Sequence, residues 1–79
     1  MSVSVVVPPL GNEGQPLRVS LWFVEVGQSV LAGDRLVELM LPGMTFDVPS
    51  PCTGTLTAII AREGTEIAEG DELGTIRPE

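Results

Sequence analysis

Seventy-nine residues allow one domain with a small core, and residues 1–79 read as a single unit. Eleven acidic residues against four arginines, with no lysine and no histidine, give a formal charge of −7. That balance leaves no basic patch for nucleic acid or an anionic membrane, and it suits a solvated acidic surface.

In chain order, Ser2–Val7 is β-branched and partly alternating, a strand that stops at Pro8-Pro9. Leu10–Pro16 carries Gly11, Asn12, Gly14 and Pro16 and reads as a loop. Leu17–Val24 is the next strand, and a very short extended piece around Val30 lies between turns at Gly27 and Ala32-Gly33-Asp34. Arg35–Met40 and Thr45–Val48 form a hairpin whose tip is Met40-Leu41-Pro42-Gly43-Met44. Pro42 fixes φ near −65° and Gly43 supplies the positive φ of a type II turn. Two-residue hairpins prefer the mirror-image turns, so splayed strands or a longer loop are expected here. After Pro49-Ser50-Pro51 come a strand over Thr55–Ala61, turns at Gly64 and Glu69-Gly70-Asp71, and a last strand over Glu72–Ile76. Gly and Pro interrupt every candidate helical window, so the chain is all-β with seven or eight short strands. Trp22, Phe23 and Phe46 are the only aromatics, which leaves the core to Val, Leu and Ile.

An internal repeat organises these strands. A shift of 37 residues places Gly27 on Gly64, Val30 on Ile67, Gly33 on Gly70, Asp34 on Asp71 and Leu36 on Leu73. Upstream, Val19 and Trp22 fall on Leu56 and Ile59; apolar groups three apart are out of step with a flat strand and predict a β-bulge in each half. The repeat implies a pseudo-two-fold sandwich in which each half supplies one face. The hairpin tip then lies at one end and the two chain termini at the other.

These residues also carry a family resemblance. Val7-Pro8-Pro9-Leu10-Gly11-Asn12-Glu13, Trp22, Val24, Val26-Gly27-Gln28-Ser29-Val30 and Leu36-Val37-Glu38 resemble the successive motifs of lipoyl domains in the biotinyl/lipoyl attachment family. Val48-Pro49-Ser50-Pro51, Gly54, Glu63-Gly64, Ile67, Gly70 and Leu73-Gly74-Thr75-Ile76 continue the match without an insertion. The chain is most similar to lipoyl domains of the acyltransferase component of 2-oxo acid dehydrogenase complexes. The resemblance implies a flattened β-barrel or sandwich of two four-stranded antiparallel sheets.

The departure from the pattern is equally specific. Lipoyl domains carry a lysine at the hairpin tip that receives lipoate through an amide, and biotinyl domains present one within Ala-Met-Lys-Met. Ungapped, that lysine falls on Gly43, with Met40, Leu41 and Pro42 before it and Met44 after. Without a lysine anywhere in these residues, neither lipoate nor biotin is expected as a cofactor.

Other candidate chemistry is sparse. Met40, Met44 and Cys52 without a histidine are too few soft ligands to argue a copper(I) site, and methionine is commonly a flexible filler. Cys52 has no His or Lys base beside it in sequence and reads as a small hydrophobe. Being alone, it permits no intramolecular disulfide and makes a reducing, cytoplasmic compartment the simpler expectation. No apolar run has membrane-spanning length, and the N-terminus lacks signal-peptide features. Glu63, Glu66, Glu69, Asp71 and Glu72 lack the spacing of a calcium loop.

No catalytic residues and no metal ligands are therefore expected. The functional expectation is a non-enzymatic binding or structural module, possible partners being subunits of a 2-oxo acid dehydrogenase-type assembly. Candidate partner-binding residues are Met40, Leu41 and Met44 as an apolar patch, with Leu10, Asn12 and Glu13 in the loop that lipoyl domains place beside the tip. A carrier domain that has lost its attachment site is one alternative. The related sandwich of membrane-fusion and efflux proteins is another, although it needs long flanking helices.

Overall fold

Runs of Val, Leu, Ile and Thr bounded by Gly, Pro and Asp become seven strands and no helix in the structure, a computed structural model that describes all 79 residues. They are β1 (Val3–Val6), β2 (Arg18–Trp22), β3 (Ser29–Val30), β4 (Arg35–Leu41), β5 (Met44–Pro49), β6 (Gly54–Ile59) and β7 (Glu72–Pro78). All pairings are antiparallel: one sheet has the order β1-β7-β6-β3, the other β2-β4-β5. The architecture is a flattened sandwich, as the sequence implied.

The repeat is visible bond by bond. Gly27 N–H donates to Leu56 O and Gly64 N–H to Val19 O, while Leu56 N–H donates to Gln28 O and Val19 N–H to Thr65 O. Each pair is related by the same shift. Asp34 accepts from Leu31 N–H through Oδ2 at 2.9 Å, and Asp71 accepts from Ala68 N–H in the same way at 2.9 Å. Gly33 and Gly70 hold φ of 91° and 87°, the left-handed region these turns require. Register shifts lie between Val19 and Leu21 and between Leu56 and Ala58, which are the two expected bulges.

Two details of the expected symmetry differ. The second sheet has three strands rather than four. Glu66 takes the place of a fourth strand through a single bridge to Arg18, the counterpart of the Ser29–Thr55 pair in the first sheet. Ile67 N–H still reaches Leu17 O at 2.9 Å, but Leu17 N–H makes no return bond to Ile67 O and the ladder ends there. Nor does each half supply one face. In the first sheet the central β7 and β6 come from the second half and the edges β1 and β3 from the first. In the other sheet the central β4 and the edge β2 come from the first half and the edge β5 from the second. The halves are interleaved.

Fifteen buried apolar residues fill the space between the sheets. Symmetry mates Leu36 and Leu73, Leu39 and Ile76, and Val30 and Ile67 all belong to this core. Trp22 closes one side and donates from Nε1 to Ala61 O at 2.8 Å. The pairing also fixes the long axis. Arg18 sits beside both Met40 and Glu66, so the start of β7 lies at the hairpin end, and β7 runs away from it to where Val3 pairs with Ile76.

Candidate functional site

The β4–β5 hairpin is paired as far as Leu41 and Met44, leaving Pro42-Gly43 as a two-residue turn. The longer loop expected from turn preference does not occur. Gly43 has φ of 79°, and a β-carbon built there meets nothing within 4 Å, so position 43 faces open space. Pro42 followed by a glycine in this region is the signature of a type II turn.

The apolar tip patch does not form as expected. Leu41 is 6% exposed and belongs to the core, so it is withdrawn from any partner. Met40 and Met44 are 49% and 56% exposed but point to opposite faces of the hairpin. The reason is the pleat: paired residues share a face, Met44 pairs with Leu41 on the core side, and Met40 pairs with Thr45 and Arg18 on the outer side. Two outer rows result, Arg18–Met40–Thr45 and, beside it, Leu21–Glu38–Asp47. The strand pattern alone did not single out Leu21, Glu38 or Asp47. The signal was present in the alternation along Arg35–Leu41, once the bulge near Leu21 is allowed for.

The Leu10–Pro16 loop enters β2 at Arg18 and therefore shares the hairpin end of the molecule. Leu10 packs against the core, and the N–H groups of Leu10 and Gly11 both donate to Glu69 Oε2, at 2.8 and 3.1 Å. Asn12 and Gln15 close a turn through Gln15 N–H to Asn12 O and Asn12 Nδ2 to Gln15 O. Glu13 sits at its apex with φ of 51°, the one non-glycine residue with positive φ. Asn12 is half-buried and Glu13 exposed, so Glu13 is the freer of the two.

The late acids are tied into the frame. Glu63 accepts from Trp22 N–H at 3.1 Å, Glu66 pairs with Arg18 at 3.4 Å, Glu69 and Asp71 hold backbone N–H groups as described, and Glu72 accepts from Ser4 Oγ. No group of three or more His, Cys, Asp or Glu side chains is placed to hold a metal ion. Cys52 is half-buried against the core, beside the bond from Ser50 Oγ to its carbonyl.

A family model for biotin- and lipoyl-dependent proteins, described as "Biotin-requiring enzyme", matches residues 3–76. The chain belongs to the biotinyl/lipoyl family. It is 34% identical over 76 residues to the dihydrolipoyllysine-residue succinyltransferase component of the 2-oxoglutarate dehydrogenase complex of Rickettsia bellii, covering 96% of this chain and 19% of that protein. The corresponding component of Bartonella vinsonii is 37% identical, and that of Escherichia coli K12 30%, each over 76 residues and 96% of this chain, and covering 18% and 19% of those proteins. The chain thus spans about a fifth of these relatives. Among solved structures, the lipoyl domain of the 2-oxoglutarate dehydrogenase complex from Azotobacter vinelandii superimposes with a TM-score of 0.76 at 19% identity, covering 95% of both chains. A segment of a single-chain, multi-domain long-chain acyl-CoA carboxylase superimposes with a TM-score of 0.83 at 17% identity, covering 99% of this chain and 7% of that one. These two likenesses support the lipoyl-type fold.

Proposed function

We propose that this domain is a biotinyl/lipoyl scaffold that carries neither lipoate nor biotin and acts as a non-catalytic protein-binding module. The observation that carries this reading is the hairpin tip. Where the family presents a lysine, this chain has Gly43, within a Pro42-Gly43 turn, in a sequence with no lysine. Amide attachment requires a primary amine on a flexible stem, and glycine has no side chain. The similarity to succinyltransferase components favours a place in a 2-oxo acid dehydrogenase-type assembly, in the cytoplasm, with other subunits as partners. The Asn12–Glu13 turn and Met40 would offer contacts at the hairpin end, whereas Leu41 would not.

Intact-mass spectrometry of the protein produced with active lipoyl and biotin ligases tests the first half, and an added lipoyl or biotinyl mass refutes it. Affinity capture tests the second half. Recovery of dehydrogenase subunits supports the assembly, and their absence refutes it.

A further inference from the structure

The pseudo-two-fold provides an internal control for the outer faces of the two sheets. Positions 37 apart share a backbone environment, so chemical differences between mates are not dictated by the backbone. On the four-stranded sheet the outer face is mostly polar and internally hydrogen-bonded: Thr57 and Thr75 bond through their hydroxyls at 2.8 Å, Ser4 Oγ donates to Glu72, and Arg77 is exposed, with Val6 on the edge strand β1 as the one exposed large apolar side chain. On the three-stranded sheet the mates of Ala58, Thr75 and Arg77 are Leu21, Glu38 and Met40. Leu21 is 44% exposed, and Met40 lies in the next row toward the tip.

Between and beside these apolar side chains, Glu38 and Asp47 stand directly opposite each other. Like charges in that position destabilise a sheet. Arg35 relieves only part of this, reaching Asp47 at 3.4 Å while lying over the Phe23 ring at 4.6 Å. The protein's other ion pair joins Arg18 to Glu66, so Glu38 has no cation of its own. Two exposed apolar side chains, Leu21 and Met40, thus flank an under-neutralised acidic pair, in a chain of net charge −7. Its complement is a cationic and apolar surface.

We propose that the outer face of the β2–β4–β5 sheet docks a basic, apolar segment of a protein partner. One arginine or lysine sits between Glu38 and Asp47, and apolar side chains cover Leu21 and Met40. The proposal rests on the reading of this domain as a protein-binding module, and it places the contact on the sheet face rather than across the tip.

The test is an amide NMR titration with three synthetic peptides of equal length, alternating Arg-Leu, Glu-Leu and Arg-Ser. Arg-Leu is expected to shift the amides of Leu21, Glu38, Met40 and Asp47 and to bind more tightly than either control. The double variant Glu38→Gln, Asp47→Asn should weaken Arg-Leu binding by about fivefold, the scale of two exposed ion pairs. The same variant removes a like-charge contact and also the Arg35–Asp47 pair, so its unfolding temperature should change little. Shifts centred on the Thr57–Thr75 face, equal binding of a control peptide, or unchanged affinity in the double variant would overturn the proposal. Capture of dehydrogenase subunits that survives the double variant refutes the docking face and leaves the module reading standing. Failure of capture by the wild type, with the peptide mapping intact, refutes the assembly and leaves the face.

Discussion

Gly54 is the residue whose side-chain vacancy the fold uses most directly. It lies in β6, paired with Val30 on one side and Pro78 on the other, so the strand cannot move sideways without disturbing a neighbour. A β-carbon added there overlaps the Arg77 carbonyl oxygen and comes within 2.9 Å of both Arg77 C and Pro78 Cα. Restoring ordinary contacts of about 3.5 Å, from the overlap at the oxygen and 2.9 Å at the two carbons, requires β6 and β7 to part by roughly 0.6–1.3 Å. Overpacking of this kind costs about 1–3 kcal/mol, and loosening the adjoining ladder bond adds about 1 kcal/mol. We therefore expect Gly54→Ala to cost about 3 kcal/mol. A domain of this size has a total stability of about 4–12 kcal/mol, so the loss should be plain in urea unfolding followed by the fluorescence of Trp22, the sole tryptophan. Gly33→Ala is the matched control. Gly33 has φ of 91° but nothing within 4 Å of its added β-carbon, so only backbone strain of about 1–2 kcal/mol applies. If Gly54→Ala costs no more than Gly33→Ala at unchanged m-value, the steric reasoning fails.

Three further outcomes are expected. Asp34→Ala and Asp71→Ala each remove one turn-closing hydrogen bond of 2.9 Å and should cost about 1 kcal/mol apiece, in equal measure by thermal unfolding; a difference beyond about 1 kcal/mol would mean the two turns are not energetically equivalent. Gly43→Lys should fold with a local cost of about 1 kcal/mol and be lipoylated poorly by a lipoyl ligase, with Met40→Glu and Pro42→Asp added to rescue it; full modification of the single variant by mass spectrometry would show that the flanking residues do not matter. Adding Leu41→Thr to that set should instead lower stability by about 1–3 kcal/mol in urea, because Leu41 is a core side chain.

Much of the frame is legible in the sequence because backbone geometry leaves few choices. Gly33 and Gly70, each followed by Asp, demand the same left-handed turn, and the three-residue spacing of Val19 with Trp22 and of Leu56 with Ile59 announces the bulges. Sheet composition is less legible. Whether Glu66-Ile67 makes a strand or one bridge depends on whether Leu17 returns the bond that Ile67 makes to it, a tertiary question. The hairpin tip was legible in position, but the facing of its side chains was not. Met40, Leu41 and Met44 look like one patch when read along the chain, yet the register of the hairpin sends Leu41 inward and separates the two methionines. Cross-strand juxtaposition, as between Glu38 and Asp47, is set by that same register and has no signature within either strand alone.

The interleaving of the two halves has a consequence for how the chain reaches its native state. Val3 must find Ile76, Arg18 must find Glu66, and β3 must find β6, all before the core can close. Each of these pairings closes a long loop at an entropic cost that precedes any reward. The β4–β5 hairpin is different, since only Pro42 and Gly43 separate its strands. It can form on the microsecond scale of an isolated hairpin, while the remaining strands wait on slower encounters. The Pro42-Gly43 turn thus joins the most local strand pair of the fold, and the folding rate is set by the long-range pairings rather than by that turn.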